Sequence, residues 1–378
     1  MKLGVDLSIQ DELDELHPVY TYHGEKIEPF SFFANHSGIS VVRLRLWHNP
    51  YDEEGHPYGG GTNDLETFIR LAKRANNAGM DVLLDFHYSD FWVDPSRQIP
   101  PKAWKGLDYE GIKAALSQYT RETLLRLKKE GIRLAGIQIG NEISNGMVFP
   151  FGFLWREHSA ETGGGYQGHC GLLKAGYAAA KEIYPEAKTV CHLEHAGSFD
   201  MQEPYFDALL KEGVEFDVIG ESYYPYWHGG LPLFKDNISR LKAKFNKEIW
   251  VVEMGYEFAV SRLANHHIEY KDMAGEEFQE GNPNGRIPFP LTQEGQAQYL
   301  DLFLRTCKDL GVAMVFYWEP TWIYMEGNGW AKDAGQVYCG LVPEKAENDW
   351  ANETLFDFDG QATQGIDVFT QEYVNKLD

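Results

Sequence analysis

A repeating pattern of polar and apolar positions runs along the chain. A stretch with helical periodicity is followed by a glycine and then by a short apolar run rich in β-branched residues. The clearest such glycines are Gly38, Gly79, Gly131, Gly213 and Gly311. Glycine at this place fits the left-handed residue that closes a helix, and the following run fits a strand buried on both faces. The pattern therefore predicts alternating helices and parallel strands.

Three further apolar runs, starting at Leu3, Lys188 and Lys247, bring the predicted strands to eight. The helical patterns between them include residues 65–77, 109–130, 172–184 and 294–310. Eight alternations favour an α/β fold in which the strands close into a (β/α)₈ TIM barrel. An open doubly wound sheet is less favoured, because no G-x-G-x-x-G loop follows the first strand. Without a linker or low-complexity tract, residues 1–378 are predicted to form one domain.

The predicted connections are strongly unequal in length. Helix-to-strand connections are little more than the glycine, whereas the long strand-to-helix segments are 49–63, 89–108, 143–167, 255–291 and 319–365. Irregular segments longer than about 12 to 15 residues are usually functional or disordered. In a barrel these long loops all lie at the C-terminal face, where the active sites of this fold are found. The functional site is therefore expected there.

Composition narrows the classes of function. The chain has 34 Lys and Arg against 57 Asp and Glu, a net charge of −23, which would repel nucleic acid and anionic membrane surfaces. No apolar run approaches the roughly 18 residues of a membrane span. The start, MKLGVDLSIQDELDEL, has no apolar signal-peptide region, so the sequence as given predicts a cytoplasmic protein. A secreted protein whose leader has been removed is the alternative.

The residues at the predicted strand ends are rich in carboxylates and aromatic rings. They are Asp6, Arg45, Trp47, Asp85, His87, Asn141, Glu142, His192, Glu194, Tyr223, Tyr224, Glu253, Trp318 and Glu319. They include no serine nucleophile elbow and no phosphate-binding loop, and the four cysteines show no C-x-x-C spacing. Carboxylate pairs beside aromatic platforms suit glycoside hydrolysis.

Glu142 and Glu253 are the predicted catalytic pair. Each follows an apolar strand run, IQIGNE or WVVE, where a carboxylate either faces a polar site or carries a desolvation penalty. They would lie on strands four and seven of the barrel. The alternative is that each glutamate caps a helix or pairs with an arginine. A second Asn-Glu dipeptide, Asn352-Glu353, lies in a polar stretch and is assigned no role.

These residues belong to longer motifs that resemble glycoside hydrolase family 53, the endo-β-1,4-galactanases. The motifs are VVRLRLWHNP, DFHYSDFWVDP with PKAW, IQIGNEISNGMVFP, SYYPYWHGG, VVE and VFYWEPTW, and the similarity extends from GVDLS to LFDFDG. The resemblance implies a retaining enzyme that cleaves β-1,4-galactosidic linkages in galactan, type I arabinogalactan or derived oligosaccharides. A mannanase, cellulase or xylanase of the same clan is the main alternative.

The resemblance also implies roles for individual residues. Glu142 would be the acid/base and Glu253 the nucleophile, with a raised and a depressed pKa respectively. Asn141 would bind the substrate 2-hydroxyl, and Trp318 would form the platform beneath the sugar. Arg45 and Tyr224 would keep Glu253 ionised, with Tyr223 as the alternative to Tyr224, because strand parity at a frayed end is not fixed by sequence.

Several aromatic and histidine assignments stay open at this stage. His87 and His192 match strand-end positions of the family, but a hydrogen-bonded core histidine is almost as good an interpretation. The four tryptophans that could form sugar platforms or simply pack at the barrel rim are Trp92, Trp104, Trp227 and Trp322.

No cofactor is predicted to be required. Many bacterial members of the family carry a calcium loop after strand seven, but residues 254–288 lack oxygen ligands at alternating positions, so calcium is not supported. A metal-dependent sugar isomerase or hydrolase on the same barrel is a weaker hypothesis. Its ligands would come from Asp85, His87, His192, Glu194, His195, Glu253 and Glu319, but HLEH on a strand points its two histidines to opposite faces. A non-catalytic sugar-binding barrel has no positive support.

Overall fold

The computed structural model describes residues 1–260, 281–282 and 284–377, and within them eight parallel strands close into a barrel. The strands are β1 (Lys2–Asp6), β2 (Val41–Leu46), β3 (Asp81–Phe86), β4 (Leu134–Ile139), β5 (Lys188–Leu193), β6 (Val218–Tyr223), β7 (Glu248–Met254) and β8 (Met314–Tyr317). Each strand pairs with its neighbours in the sequence, and β8 pairs with β1 to close the ring. The predicted (β/α)₈ TIM barrel is confirmed.

The longer α-helices pack around the barrel, and the shorter ones lie in the connections between strands and helices. They are α1 (Gln10–Asp14), α2 (Pro29–Asn35), α3 (Leu65–Asn77), α4 (Tyr109–Lys129), α5 (Gly165–Ile183), α6 (Phe199–Lys211), α7 (Pro225–His228), α8 (Leu231–Phe245), α9 (Gln293–Asp309), α10 (Asp333–Tyr338), α11 (Gly365–Val368) and α12 (Gln371–Lys376). No described helix combines the length and apolar character needed to cross a membrane.

The helix ends follow the sequence signals closely. The glycines of the repeating pattern, at positions 38, 79, 131, 213 and 311, have φ between 64° and 93°, as expected for residues that close helices. Asp64 caps α3 by accepting a hydrogen bond of 2.8 Å from the Thr67 backbone N–H. One boundary differs: α5 begins at Gly165 rather than at Leu172, because the glycine-rich GGGYQGHCG resembles a loop but is helical from Gly165 onward.

Two aromatic side chains in the barrel interior pack against glycines of other strands. Phe316 on β8 packs against Gly4 on β1, and Trp250 on β7 packs near Gly136 on β4. A Cβ added to Gly4 would lie 2.3 Å from Phe316 Cδ1. The glycines therefore make room for two aromatic rings inside the barrel, which gives the packed core typical of this fold.

Replacing Gly4 by alanine is expected to destabilise the protein by about 1–3 kcal/mol, because the added methyl group overpacks the barrel interior. Urea unfolding measures this difference. The double variant Gly4→Ala, Phe316→Leu should recover part of the loss, and equal stability of Gly4→Ala and the parent would contradict the packing assigned to this pair.

Candidate active site

A cavity of about 560 Å³ opens at the carboxyl ends of the barrel strands, as the loop lengths predict. The predicted site residues that line it are Arg45, His87, Trp92, Asn141, Glu142, Tyr224, Trp227, Glu253 and Trp318. The other lining residues are Arg43, Val93, Asp94, Pro95, Arg97, Glu194, His228, Trp330, Cys339, Trp350 and Glu353. Two carboxylates in an aromatic cleft therefore meet at the predicted face.

Glu142 and Glu253 face each other across this cavity. One carboxylate oxygen of each, together with a ring nitrogen of His192, lie within 4.8 Å of one another. This upper limit lies well below the roughly 6.5 to 9.5 Å of inverting enzymes and is compatible with a retaining pair, whose carboxyl groups are about 5 to 5.5 Å apart. The pair has the geometry for attack on one face of a sugar and protonation at the other side.

Glu142 is held by an unusual backbone conformation and by one hydroxyl group. Its φ is 48°, in the left-handed region that non-glycine residues rarely adopt, and Ser222 Oγ donates a 2.7 Å hydrogen bond to its Oε1. No cation of the described residues pairs with its carboxylate. Burial, followed by the negative charges of Glu253 and Glu194, raises the pKa of Glu142 well above its ordinary value. This environment suits a general acid.

Glu253 lies beside a buried arginine, Arg43. Arg43 Nη2 is 2.8 Å from Glu253 Oε1 and 2.8 Å from Asp85 Oδ2, and Arg43 Nη1 is 2.9 Å from Asp6 Oδ2. The same Nη2 donates to Asn141 Oδ1 at 2.9 Å. One guanidinium therefore contacts carboxylates from three strands and orients the asparagine next to Glu142.

The prediction that Arg45 keeps Glu253 ionised is wrong, because Arg43 is the arginine beside Glu253. Arg45 pairs with Glu319 and donates to the Gly60 carbonyl oxygen at 2.8 Å, while its guanidinium lies 4.1 Å from the Trp92 ring centroid. Both arginines point into the barrel because they are two residues apart on β2. Strands in a closed barrel are tilted and staggered, so the deeper arginine reaches the level of Glu253. Sequence parity could not distinguish between them.

The predicted role of Tyr224 fits its position, since its hydroxyl donates to Glu253 Oε2 at 3.3 Å. Tyr223 points outward, and its hydroxyl donates to the Gly229 carbonyl oxygen at 2.9 Å. The expected depression of the Glu253 pKa is not found. Burial raises the pKa of Glu253 to about 7, against the opposing effects of Arg43 and the Tyr224 hydroxyl. Glu253 is still the more acidic of the pair, because Glu142 has no cation beside it.

Asn141 and His87 line the cavity but are already hydrogen-bonded to the protein. Asn141 Nδ2 donates to the Val93 carbonyl oxygen at 3.0 Å, which leaves one N–H of the amide for a ligand. His87 Nε2 lies 3.0 Å from Asp85 Oδ2, and its Nδ1 accepts from Trp47 Nε1 and the Val93 N–H, both at 3.3 Å. His87 therefore matches the alternative of a satisfied, positioning histidine.

His192 does not line the cavity and instead supports Glu142 from behind. Its Nδ1 accepts from the Glu142 backbone N–H at 3.3 Å, and its Nε2 lies 2.8 Å from Ser222 Oγ. Burial lowers the pKa of His192 well below its ordinary value, so the ring is neutral. With Nδ1 as acceptor, Nε2–H donates to Ser222, and the Ser222 hydroxyl donates to Glu142. The neutral state of His192 therefore fixes which atom donates in each of these hydrogen bonds.

The aromatic residues divide between the cavity wall and the core. Trp92, Trp227 and Trp318 line the cavity, whereas Trp322 is fully buried and Trp104 is 5% exposed, so these last two are packing residues. Two further tryptophans in the wall, Trp330 and Trp350, were missed because they lie in the irregular segment after β8. Only their aromatic character, inside an expected active-site loop, could have indicated them.

Glu194 and Glu353 also lie in the wall, although the sequence analysis gave neither a catalytic or sugar-binding role. Glu194 lies at the end of β5, where Ser144 Oγ donates to its Oε1, and burial raises its pKa to about 7. Glu353, in the Asn-Glu dipeptide that was assigned no role, lines the cavity as well. A polar stretch near the end of the chain gives no sign that it folds back over the barrel mouth.

A metal ion fits this site poorly. Among the described residues, one group could offer three ligands: Glu142, His192 and Glu253. Both nitrogens of His192 are already hydrogen-bonded, and Glu253 is paired with the positive Arg43, so a cation would be placed beside a guanidinium. Most of the segment considered for calcium, residues 261–280, lies outside the described residues.

Facing glutamates in an aromatic cleft, at the carboxyl ends of a (β/α)₈ barrel, define a glycoside hydrolase. The profile of glycosyl hydrolase family 53 matches residues 2–369, and the chain belongs to that family. The resemblance noted in the motifs is thereby confirmed.

Named relatives and a solved structure agree with this placement. The chain is 31% identical to an endo-beta-1,4-galactanase of Bacillus subtilis (strain 168), over 93% of this chain and 80% of that protein. It is 32% identical to an arabinogalactan endo-beta-1,4-galactanase of Cellvibrio japonicus (strain Ueda107), over 94% and 86% respectively. The GH53 catalytic domain of Ignisphaera aggregans has a TM-score of 0.83 and 33% identity, covering 98% of this chain and 95% of that one.

Replacing Arg43 by glutamine is expected to destabilise the protein by about 3–5 kcal/mol at pH 7, because buried carboxylates lose their counterion. Although burial acts to raise it, Arg43 and His87 hold the pKa of Asp85 below its ordinary value, so this stabilisation is present at neutral pH and is lost as Asp85 is protonated. The deficit should therefore shrink in acid. Urea unfolding at several pH values measures it.

Arg133→Gln is the control for this measurement. Arg133 pairs with Asp81 at 2.8 Å, but its side chain is 51% exposed, so the loss should stay below about 1 kcal/mol. Equal losses for the two variants would contradict the role of Arg43 as the buried counterion.

Proposed function

We propose that this enzyme hydrolyses β-1,4-galactosidic linkages within galactan, type I arabinogalactan or derived galacto-oligosaccharides, with retention of configuration. The observation that carries the proposal is the spacing of at most 4.8 Å between Glu142 and Glu253 oxygens in a family 53 barrel. The names of the relatives support galactan over mannan, cellulose or xylan. A neutral polysaccharide is also compatible with a chain of net charge −23.

In the first step Glu253 acts as the nucleophile and Glu142 as the acid. A Glu253 carboxylate oxygen forms a bond to the anomeric carbon, the bond to the glycosidic oxygen breaks, and the Glu142 proton moves to that oxygen. The leaving chain departs with a free hydroxyl, and the remaining sugar is esterified to Glu253. Arg43 and the Tyr224 hydroxyl hold the attacking carboxylate in place through its two oxygens.

In the second step Glu142 is a carboxylate and acts as a base. It takes a proton from a water molecule, whose oxygen attacks the anomeric carbon and releases Glu253. The two inversions together give retention. The Ser222 hydroxyl, oriented by His192, donates to Glu142 Oε1 and stabilises the negative charge in this half of the reaction.

The remaining groups bind and orient the sugar. Asn141 has one amide N–H left for a substrate hydroxyl, beside Glu142. Trp318, Trp92 and Trp227 present ring surfaces to the cavity, and such surfaces stack on the apolar faces of sugars. The cavity is lined from several long loops and is open at the barrel mouth, which suits an extended chain.

A panel of β-1,4-galactan, mannan, xylan and glucan, with product anomers followed by NMR, tests substrate and stereochemistry together. We expect cleavage of galactan with the β-anomer formed first. Initial release of the α-anomer would overturn the assignment of Glu253, and a clear preference for another polysaccharide would overturn the substrate.

Replacing Glu253 by alanine should abolish turnover while leaving substrate binding intact. Azide, a small external nucleophile, should restore cleavage of an activated aryl β-galactobioside and give the α-galactosyl azide, because it enters from the vacated face. In Glu142→Ala, azide should give the β-azide. Product NMR identifies the anomer.

Glu221→Gln, a change in a fully buried glutamate that does not line the cavity, is the control and should keep the parent rate. The same azide anomer from both variants would show that the roles are wrongly divided.

Activity should have a bell-shaped pH profile with its acidic limb near pH 7, since Glu253 must be ionised and burial raises its pKa to about 7.

Ser222→Ala removes a hydrogen bond that stabilises ionised Glu142, so the pKa of Glu142 should rise. The alkaline limb of kcat/KM is then expected to move up by about half a pH unit to one pH unit.

Ser37→Ala is the matched control for this profile, because Ser37 is fully buried and lies away from the cavity. Its profile should coincide with that of the parent. A downward shift of the alkaline limb in Ser222→Ala would contradict the proposed direction of the hydrogen bond.

A further inference from the structure

Glu353 is fixed in the wall of the active-site cavity by its backbone. Its N–H donates to the Trp350 carbonyl oxygen at 2.9 Å, and its own carbonyl oxygen accepts from the Tyr317 hydroxyl. The next residue is held too, since the Thr354 carbonyl oxygen accepts from Gln296 Nε2 at 2.9 Å. The position of Glu353 at the cavity is therefore set by main-chain contacts that do not involve its carboxyl group.

The carboxyl group itself has no hydrogen-bond partner at Oε2 among the described residues, although the residue is only 4% exposed. Three buried carboxylates near the barrel mouth contrast with it, because Asp85 and Glu253 pair with Arg43 and Glu319 pairs with Arg45. Burial raises the pKa of Glu353 to about 8, so the group carries a proton at neutral pH. It can then both donate and accept a hydrogen bond.

Glu353 lies on the nucleophile side of the cavity. A Cβ built on Gly255, two residues after Glu253, would lie 2.9 Å from Glu353 Oε2 and 3.4 Å from Tyr224 Cε1. Tyr224 is the residue whose hydroxyl contacts Glu253. In a retaining reaction the nucleophile bonds to the sugar that stays on the enzyme, so groups on this side face that sugar.

A buried polar group without a partner destabilises the free protein, and a ligand that supplies the missing bond gains selectivity from it. We propose that the carboxyl group of Glu353 forms a hydrogen bond with a hydroxyl of the sugar bound on the nucleophile side, and thereby contributes to substrate specificity. This inference rests on the proposed function, because it assumes a galactoside in the cavity.

The test uses the full-length enzyme and aryl β-1,4-galactobiosides, one unmodified and a series that each lack one hydroxyl of the sugar next to the aryl group or of the terminal sugar. Glu353→Leu removes the hydrogen-bonding group, and Glu353→Gln keeps a neutral donor and acceptor. On the unmodified substrate we expect kcat/KM to fall about tenfold in Glu353→Leu and to stay within about threefold of the parent in Glu353→Gln.

The decisive measurement is whether the loss of kcat/KM in Glu353→Leu depends on the presence of one particular substrate hydroxyl. For one deoxy substrate, the kcat/KM values of Glu353→Leu and the parent should differ by less than about twofold. For the other substrates, kcat/KM should still be about tenfold lower in Glu353→Leu. An equal penalty on every substrate, or no penalty on any, would overturn the inference and indicate a structural role. Glu353→Ala makes the same comparison if leucine is too large to fold into the site.

Glu221→Leu serves as the matched control. Glu221 is fully buried, is bonded to Gln202 at 2.8 Å through one oxygen, and does not line the cavity, so its variant should show no coupling to any hydroxyl. The rate at which the parent enzyme cleaves the unmodified galactobioside distinguishes a failure of the proposed function from a failure of the role of Glu353. A parent enzyme that leaves it intact would overturn the proposed function and this inference together, whereas retained cleavage without coupling would overturn only the role of Glu353.

Discussion

The buried guanidinium of Arg43 is the interaction on which the site depends. It joins carboxylates from β1, β3 and β7 at the level where the barrel opens, and one of these carboxylates is Glu253. The guanidinium that holds these strands together from inside also places a positive charge beside the nucleophile. A change of Arg43 would therefore affect both the stability of the barrel and the surroundings of the nucleophile.

The two facing glutamates differ because their surroundings differ. Glu253 has a cation and a tyrosine hydroxyl, whereas Glu142 has two negative neighbours and a single serine hydroxyl. Burial raises both pKa values. The difference between the two glutamates therefore comes from the groups that each carboxylate contacts and not from exposure. The neutral His192 behind Ser222 fixes the direction of the hydrogen bonds that reach Glu142.

The fold and the glutamate pair could be predicted from the sequence because both depend on local patterns. A glycine that ends a helix and an apolar run that follows it indicate a strand wherever they occur, and a charged residue after such a run is costly unless it faces a site. The choice of Arg45 over Arg43 failed because barrel stagger is a property of the closed ring. Glu353 was missed for a related reason: it reaches the cavity through the folding of a distant loop, which leaves no local signal.

Glu142 has a backbone φ of 48°, a region that favours glycine over every residue with a side chain. Glycine would relieve the conformational strain at this position and would also remove the carboxylate on which the acid/base step relies. Stability and chemistry therefore make opposite demands on a single residue, and random variation screened for thermal tolerance alone would tend to drive this position away from activity.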